Sequence, residues 1–194
     1  MFNWKQCICV TDRSLCEGDF LERIADIAAC RPAAIILREK DLTPEAYLHL
    51  ARDVMRICHE AQVRCILHSH KDIAEKLACR SLHLPMALLR EMTQAEREKF
   101  SVLGASCHSV EEAVEAQRLG CTYITAGHVF DTDCKAGLPG RGLAFLEAVC
   151  AAVEIPVYAI GGVSAENFDE ILGAGAAGGC MMRALMRGEV DYEI

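Results

Sequence analysis

Short apolar runs alternate with helical patterns along the whole chain, and this alternation limits the fold more than any other feature. Short apolar runs bounded by turn residues are typical of strands buried in a parallel sheet. The eight strand-like runs lie at residues 7–11, 33–37, 65–67, 81–84, 101–105, 122–126, 157–160 and 179–182. Eight strand-helix cycles without a break in composition predict a closed (β/α)8 TIM barrel forming one domain over residues 1–194, rather than an open doubly wound sheet.

Helix start signals follow most of these runs. Thr43 is a predicted N-cap, and Thr93 and Ser109 each precede a glutamate by three residues, as in a capping box. Ser69 and Ser164 are expected to cap the helices after the third and seventh strands. These helix start signals support the count of eight strand-helix cycles.

The composition excludes several classes of protein. Hydrophobic residues make up 52% of the 194 residues and Pro totals 5, which excludes a disordered or fibrous chain. A formal net charge of −8 argues against nucleic-acid binding, because that affinity depends on clustered Lys and Arg. No run approaches the roughly 18 apolar residues of a membrane helix, and residues 1–5 lead into a strand rather than a signal peptide. We therefore expect no membrane association and a cytoplasmic location.

The cysteines favour a reducing compartment. The twelve cysteines sit singly inside apolar runs, and no CxxC motif occurs. Cys7 and Cys9 share one face of a strand, which is a weak indication of a metal site, but buried hydrophobic thiols are the favoured interpretation.

A polar, glycine-rich segment at residues 127–142 follows the sixth strand. Its histidine, carboxylates and cations could not all find partners if they were buried, so it is predicted to be a loop. Loops this long in a compact domain are usually functional or disordered, and the apolar Val129 and Phe130 argue against disorder.

Polar residues cluster where the predicted strands end, which is where barrel enzymes place their chemistry. The candidates are Thr11, Asp12, Arg38, Glu39, Lys40, His68, Ser69, His70, His83, Ser106, Cys107, His108, His128, Lys135, Gly161, Gly162 and Arg183. Five of the seven histidines are among them, which favours a proton-transfer site because the pKa of histidine lies near neutrality.

Gly161 and Gly162 are the clearest ligand element. Glycines directly after the seventh strand let backbone N–H groups approach an anion, and the eighth strand leading into a short helix completes the phosphate site common in barrels. Arg183 follows the eighth strand and could add a charge-assisted contact.

Three other groups of candidates can be interpreted in more than one way. Arg38 and Lys40 alternate with Glu39 and should face one side, either toward the barrel mouth or as a solvated cluster. His128 is either an ordinary loop or packing histidine or a general acid/base. His68 and His70 lack a third ligand of suitable type and spacing, so a metal pair is not favoured.

The motifs taken together resemble the thiamin phosphate synthase and thiazole tautomerase (TenI) superfamily over nearly the whole chain. They are VTDR at 10–13, LREK at 37–40, KDIA at 71–74, LHLP at 82–85, GASCHSVEEA at 104–113, GHVFDTDCKAG at 127–137 and AIGGV at 159–163. The resemblance implies a barrel that binds a thiazole phosphate.

Departures from the synthase pattern indicate which branch of the superfamily the chain resembles more. The synthase branch has Gln at the position of Ile36, Asn-Asp at His68-Ser69, Gly-Gln at residues 85–86 and an acidic residue at Leu88. Without those carboxylates a Mg²⁺-diphosphate would lack ligands. The tautomerase pattern G-H-x-F-x-T-D-C-K, by contrast, matches residues 127–135 throughout.

The resemblance therefore implies a thiazole tautomerase, an isomerase that aromatises a thiazole carboxylate phosphate, with His128 as general acid/base and no cofactor. By the same resemblance, substrate would contact Arg38, Lys40, His68, Ser106 and Lys135, and its phosphate Gly161, Gly162, Met182 and Arg183. The alternatives are thiamin phosphate synthase, which would need Mg²⁺, and a non-catalytic regulatory protein that binds thiazole phosphate. A homo-oligomer is compatible with the sequence.

Overall fold

A computed structural model of the chain describes residues 2–132 and 137–190. Eight strands close into a barrel in sequence order, and neighbouring strands pair in parallel. The strands are β1 (Cys7–Val10), β2 (Ala34–Leu37), β3 (Cys65–His68), β4 (Ser81–Pro85), β5 (Val102–Cys107), β6 (Tyr123–Gly127), β7 (Val157–Ile160) and β8 (Gly178–Met181). The predicted (β/α)8 barrel is confirmed, and each predicted strand is present within two residues of its expected ends.

Helices separate most of the strands. They are α1 (Phe20–Ala29), α2 (Pro44–Glu60), α3 (Lys71–Lys76), α4 (Met86–Glu91), α5 (Gln94–Arg97), α6 (Val110–Arg118), α7 (Gly142–Ala152), α8 (Phe168–Gly173) and α9 (Arg183–Arg187). In the described part of the chain, no helix combines the length and the apolar character that crossing a membrane requires.

Several helices begin where the sequence predicts. The side chain of Thr43 accepts a hydrogen bond from the N–H of Ala46, and Thr93 forms a complete capping box with Glu96. Ser109 accepts from the N–H of Glu112, but that glutamate accepts from the His108 N–H instead of completing the box. Local side-chain oxygens thus satisfy the first amide groups of these helices.

Two predicted caps are wrong. Ser69 has a left-handed backbone (φ 66°) and its hydroxyl pairs with the ring of His68, so His70 occupies the cap position of α3. Ser164 lies four residues before α8, whose cap position is Asn167. The side-chain amide oxygen of Asn167 accepts from the Ser164 N–H, so the turn before α8 is built by the asparagine.

The described residues divide into two compact units. The first unit contains the described residues up to Leu82 and from Met181 onward, and the second contains His83–Cys180. The prediction of one domain over residues 1–194 stays a prediction.

In the first unit, β1, β2 and β3 pair in parallel with Ile8 opposite Ala34 and Leu37 opposite Leu67. All residues of β1 and β2 are buried, which is typical of a strand covered on both faces. Ile24 of α1 is also fully buried, and burying such a side chain contributes about 1.5–3 kcal/mol.

In the second unit, β5, β6, β7 and β8 pair in parallel. Gly104 lies opposite Tyr123, Gly127 opposite Ile160, and Ile160 opposite Cys180. Because parallel strands end at the same edge, this register brings His128, Gly161 and the residues after β5 to one side of the second unit.

Candidate functional site

A buried carboxylate joins the ends of β1 and β2. Glu39 is 4% exposed; its Oε1 accepts the hydroxyl of Thr11 at 2.6 Å and its Oε2 accepts the N–H of Arg13 at 3.0 Å. The Thr11 hydroxyl accepts in turn from the N–H of Arg38 at 3.0 Å. Burial raises the pKa of Glu39, while the hydrogen bonds from Thr11 and Arg13 oppose that rise. Glu39 therefore fixes the backbone from which Arg38 projects.

The neighbouring carboxylates also bind groups at the end of β1. Asp41 forms an ion pair with Arg13, and the Oδ1 of Asp12 accepts both the N–H and the hydroxyl of Ser14. The carboxylates of this region therefore bind residues 11–14.

His68 ends β3 beside Arg38. Because Leu37 and Leu67 are register partners, Arg38 and His68 are the next residues on adjacent strands, which lie about 4.8 Å apart. The buried hydroxyl of Tyr47 links the two strand ends, since it donates to the Leu37 carbonyl at 2.7 Å and accepts from the His68 N–H at 3.0 Å.

The imidazole of His68 stays neutral over a wide pH range. Burial, followed by the charges of Arg38, Lys40 and His70, lowers the pKa of His68 from 6.5 to about 3. Its Nδ1 lies 2.8 Å from the Ser69 hydroxyl. The ends of β2 and β3 thus place two cations beside a neutral imidazole and a hydroxyl.

A second polar cluster lies inside the second unit. His83 of β4 is 2% exposed; its Nδ1 lies 2.8 Å from the Tyr123 hydroxyl and its Nε2 lies 2.8 Å from the Ser106 hydroxyl. A Cβ on Gly104 would lie 2.2 Å from the Tyr123 ring, so glycine provides the space for that ring. A neutral imidazole donates from one nitrogen and accepts at the other, so the two hydroxyls have opposite roles. His83 thereby orients Ser106, a predicted substrate contact.

Replacing His83 by alanine is expected to lower the free energy of unfolding by about 2–4 kcal/mol, because it removes both hydrogen bonds and leaves a cavity. Tyr123→Phe removes one hydroxyl only and should cost about 1 kcal/mol. Urea unfolding followed by circular dichroism measures both values. If both variants lose the same free energy of unfolding, the hydrogen bond between His83 and Ser106 contributes nothing, which would contradict its role in holding Ser106.

His128 follows β6 and is packed rather than open. Its side chain is 7% exposed, and its Nε2 lies 3.2 Å from the Leu138 carbonyl oxygen. A nitrogen bound to a carbonyl must carry the proton, so a neutral His128 has its lone pair on Nδ1. Within the described residues, that buried Nδ1 has no hydrogen-bond partner. A ligand N–H or O–H is the kind of group that would satisfy it.

The predicted glycine turn packs tightly against the loop after β6. Gly161 and Gly162 have φ values of 95° and 66°, which favour glycine. A Cβ on Gly161 would lie 2.3 Å from the His128 Cβ, and the Gly161 carbonyl accepts from the Phe130 N–H at 3.0 Å. Because the Gly162 carbonyl accepts from the Asn167 side chain at 2.8 Å, the turn is held from both sides.

The remaining predicted contacts lie elsewhere in the chain. Met182 and Arg183 belong to the first unit, where Met182 precedes α9 and Arg183 is its first residue. Their shared role with Gly161 and Gly162 in binding phosphate stays a prediction. Lys135 lies outside the described residues.

No metal site accompanies these groups in residues 2–132 and 137–190. Within those ranges, no three or more His, Cys, Asp or Glu side chains are arranged to hold a metal ion. The buried cysteines of β1 act as hydrophobic residues, since burial raises the pKa of Cys7 to about 12 and keeps it a thiol.

Comparison with known proteins identifies the relatives. Residues 7–185 match the TMP-TENI family, described as thiamine monophosphate synthase. Thiamine-phosphate synthase 2 of Streptococcus pneumoniae is 35% identical over 168 residues, covering 83% of this chain and 78% of that protein. Thiamine-phosphate synthase of Syntrophomonas wolfei is 32% identical over 191 residues, covering 95% and 89%.

A solved structure agrees with the sequence relatives. Thiamine phosphate pyrophosphorylase from Pyrococcus furiosus superposes with a TM-score of 0.79 at 28% identity, over 95% of this chain and 88% of that one. The fold is also shared with an N-acetylmannosamine-6-phosphate 2-epimerase from Clostridium perfringens, at a TM-score of 0.63 and 17% identity.

These relatives overturn the predicted activity. The expectation of a thiazole tautomerase, an isomerase, is wrong, because the similar proteins are named thiamine-phosphate synthases. The expectation depended on one loop histidine and a few absent carboxylates. His128 is buried and bound to the Leu138 carbonyl, so its packing role gives a reason for a histidine there that does not select a reaction. Because the match spans residues 7–185 and relatives above 30% identity cover most of both lengths, the chain belongs to the thiamine monophosphate synthase (TMP-TENI) family.

Proposed function

We propose that this chain is a thiamin phosphate synthase, a transferase that joins hydroxymethylpyrimidine diphosphate to thiazole phosphate. The observation that carries the proposal is the similarity, at 32% identity over 191 residues, to a protein named for this reaction. The sequence alternative of a synthase thus replaces the isomerase.

The glycine turn supports binding of the thiazole phosphate. The carbonyls of Gly161 and Gly162 are already bound by Phe130 and Asn167, and the close approach of His128 leaves no room for a side chain at Gly161. Backbone amides of such a turn approach an anion closely. Ser106, oriented by His83, is a further proposed substrate contact.

Cationic side chains support binding of the second substrate. In the reaction, the bond from the pyrimidine methylene carbon to diphosphate breaks, and a bond from the thiazole nitrogen to that carbon forms. Negative charge therefore grows on the leaving diphosphate, and fixed positive charge nearby lowers the barrier. Arg38 and Lys40 are the proposed source of that charge, while Lys135, outside the described residues, stays a predicted contact.

The side chains in residues 2–132 and 137–190 do not fit the Mg²⁺ that the synthase alternative implies. Mg²⁺ prefers carboxylate, phosphate and water oxygens. The expected carboxylate positions carry Ser69 and Leu88, and the carboxylates that follow β2, Glu39 and Asp41, bind Thr11 and Arg13. We therefore assign no step of the reaction to a protein-held metal ion.

The test is direct synthesis of thiamin phosphate. Wild type should form thiamin phosphate from the two substrates, measured by conversion to fluorescent thiochrome, with one diphosphate released per product. Gly161→Ala should lose at least about tenfold in kcat/KM, because its turn cannot keep its shape. Gly120→Ala, a left-handed glycine with open space around it, is the matched control and should keep its activity.

Failure of synthesis would have a specific meaning. If no product forms while thiazole phosphate still raises the melting temperature, the synthase proposal is wrong and the non-catalytic binding protein is favoured. The cytoplasmic location and the small-molecule ligand expected from the sequence belong to this proposal, and a homo-oligomer stays a prediction.

A further inference from the structure

The ends of β2 and β3 carry a concentration of positive charge in an acidic protein. Arg38 is half-buried and adjacent to His68 in the strand register, and Lys40 is exposed two residues further on. Among the described residues, no carboxylate forms an ion pair with Arg38. A half-buried guanidinium of this kind is suited to bind phosphate oxygens in a bidentate manner.

The local carboxylates are already bound by neighbouring groups, and the buried Glu39 is the most strongly held of them. Glu39 accepts hydrogen bonds from Thr11 and Arg13, Asp41 pairs with Arg13, and Asp12 accepts from Ser14. Releasing Glu39 would leave the buried Thr11 hydroxyl without its acceptor, which costs about 1–3 kcal/mol. Recruiting a divalent cation here would therefore disrupt the end of β1.

The two residues after Leu67 add neutral hydrogen-bonding groups. The Ser69 hydroxyl and the His68 Nδ1 lie 2.8 Å apart, and the ring is nearly buried at 9% exposure. An imidazole and a hydroxyl are poor ligands for Mg²⁺, which selects charged oxygens. When the neutral ring of His68 carries its proton on Nδ1 and donates to Ser69, the Ser69 hydroxyl beside the two cations has its own proton available for an anion.

We propose that Arg38, Lys40 and Ser69 bind diphosphate as a free anion, with its charge balanced by the two side chains and without a bridging divalent cation. The inference depends on the proposed function, because diphosphate is the leaving group of that reaction. It goes further in stating how the charge of the leaving group is neutralised in this chain.

Calorimetric titration of inorganic pyrophosphate into the full chain tests the site without turnover. In buffer with EDTA, wild type should bind pyrophosphate at least as tightly as in buffer with Mg²⁺, because complexation by Mg²⁺ neutralises the charge that the cations attract. Arg38→Ala and Lys40→Ala should each weaken binding in EDTA about tenfold or more.

Two further variants test whether pyrophosphate binding depends on these particular residues and on the absence of a carboxylate at position 69. Arg56→Ala removes a 62% exposed cation on α2 that pairs only weakly with Asp53 and Glu60, and it should bind pyrophosphate as wild type does. Ser69→Asp restores a carboxylate at a left-handed position that aspartate tolerates. This variant should bind more weakly in EDTA and recover when Mg²⁺ is added.

The outcomes separate this inference from the proposed function. Binding of pyrophosphate only with Mg²⁺, or equal affinity in Arg38→Ala, Lys40→Ala and wild type, would overturn the metal-free site. If thiamin phosphate forms only with Mg²⁺, the inference is wrong and the synthase proposal stands. If pyrophosphate binds in EDTA through Arg38 and Lys40 but no thiamin phosphate forms, the site stands and the synthase proposal is wrong.

Discussion

Gly161→Ala is expected to lower the free energy of unfolding by about 2–5 kcal/mol. Gly161 has a φ of 95°, and its added Cβ would lie 2.3 Å from the Cβ and 2.7 Å from the Cα of His128. The left-handed backbone costs about 1–2 kcal/mol for alanine, and forcing two packed segments apart costs about 1–3 kcal/mol more. Urea unfolding followed by circular dichroism measures the loss.

Gly120→Ala separates the two contributions. Gly120 has a similar φ of 90° in the same unit, but no atom lies within 4 Å of its added Cβ. This control should lose only about 1–2 kcal/mol, the cost of the backbone conformation alone. Similar losses in both variants would contradict the tight contact between the glycine turn and His128.

Acidification is expected to destabilise the protein through His68. The pKa of His68 is lowered to about 3 in the folded chain, while the unfolded chain titrates near 6.5. Above pH 6.5 the ring is neutral in both states and stability is unaffected. Below pH 6.5 the unfolded state binds a proton that the folded state does not, so stability falls until the pH reaches about 3. The loss is about 1.4 kcal/mol per pH unit and roughly 5 kcal/mol in total.

His68→Asn isolates this contribution. Other groups titrate in both proteins, including Glu39, whose raised pKa makes folding more favourable as the pH falls. The free energy of unfolding of wild type, relative to that of His68→Asn, should therefore fall by several kcal/mol from pH 7 to pH 4, as measured by denaturant unfolding. His70→Asn is the comparison: burial also lowers the pKa of the half-buried His70, but without the neighbouring cations that act on His68, so this variant should show the same trend with a smaller size. Parallel stability curves for wild type and His68→Asn would contradict the assignment.

The sequence was sufficient for the fold because the signals were local and repeated. A strand such as β2 is continuously apolar and flanked by polar residues, and Thr43 and Thr93 cap their helices with atoms at most three residues away. The left-handed glycines after β7 also follow from a local pattern. Such features are recognisable without knowing what lies across the barrel.

The predictions from sequence failed where a side chain had another possible hydrogen-bond partner or where a local signal was missing. Ser69 looked like a helix cap, but its hydroxyl pairs with the His68 ring at 2.8 Å and its backbone is left-handed. The helix α4 was not predicted, because residues 86–91 carry no side-chain capping signal. The tautomerase prediction assigned a reaction to His128 because residues 127–135 match the tautomerase pattern, although a loop histidine can equally bind a carbonyl such as that of Leu138.

The order of the eight strands, most helix starts and the polar residues at the strand ends can be read from the sequence. Which of these groups bind one another is visible only in the folded chain. Thr11 and Glu39 are 28 residues apart, Tyr47 and His68 are 21 apart, and His83 and Tyr123 are 40 apart. Such hydrogen bonds depend on strand register and on burial, which join residues far apart in the chain. The neighbours of Glu39 in space therefore decide whether its carboxylate is available to a ligand or is held by Thr11 and Arg13.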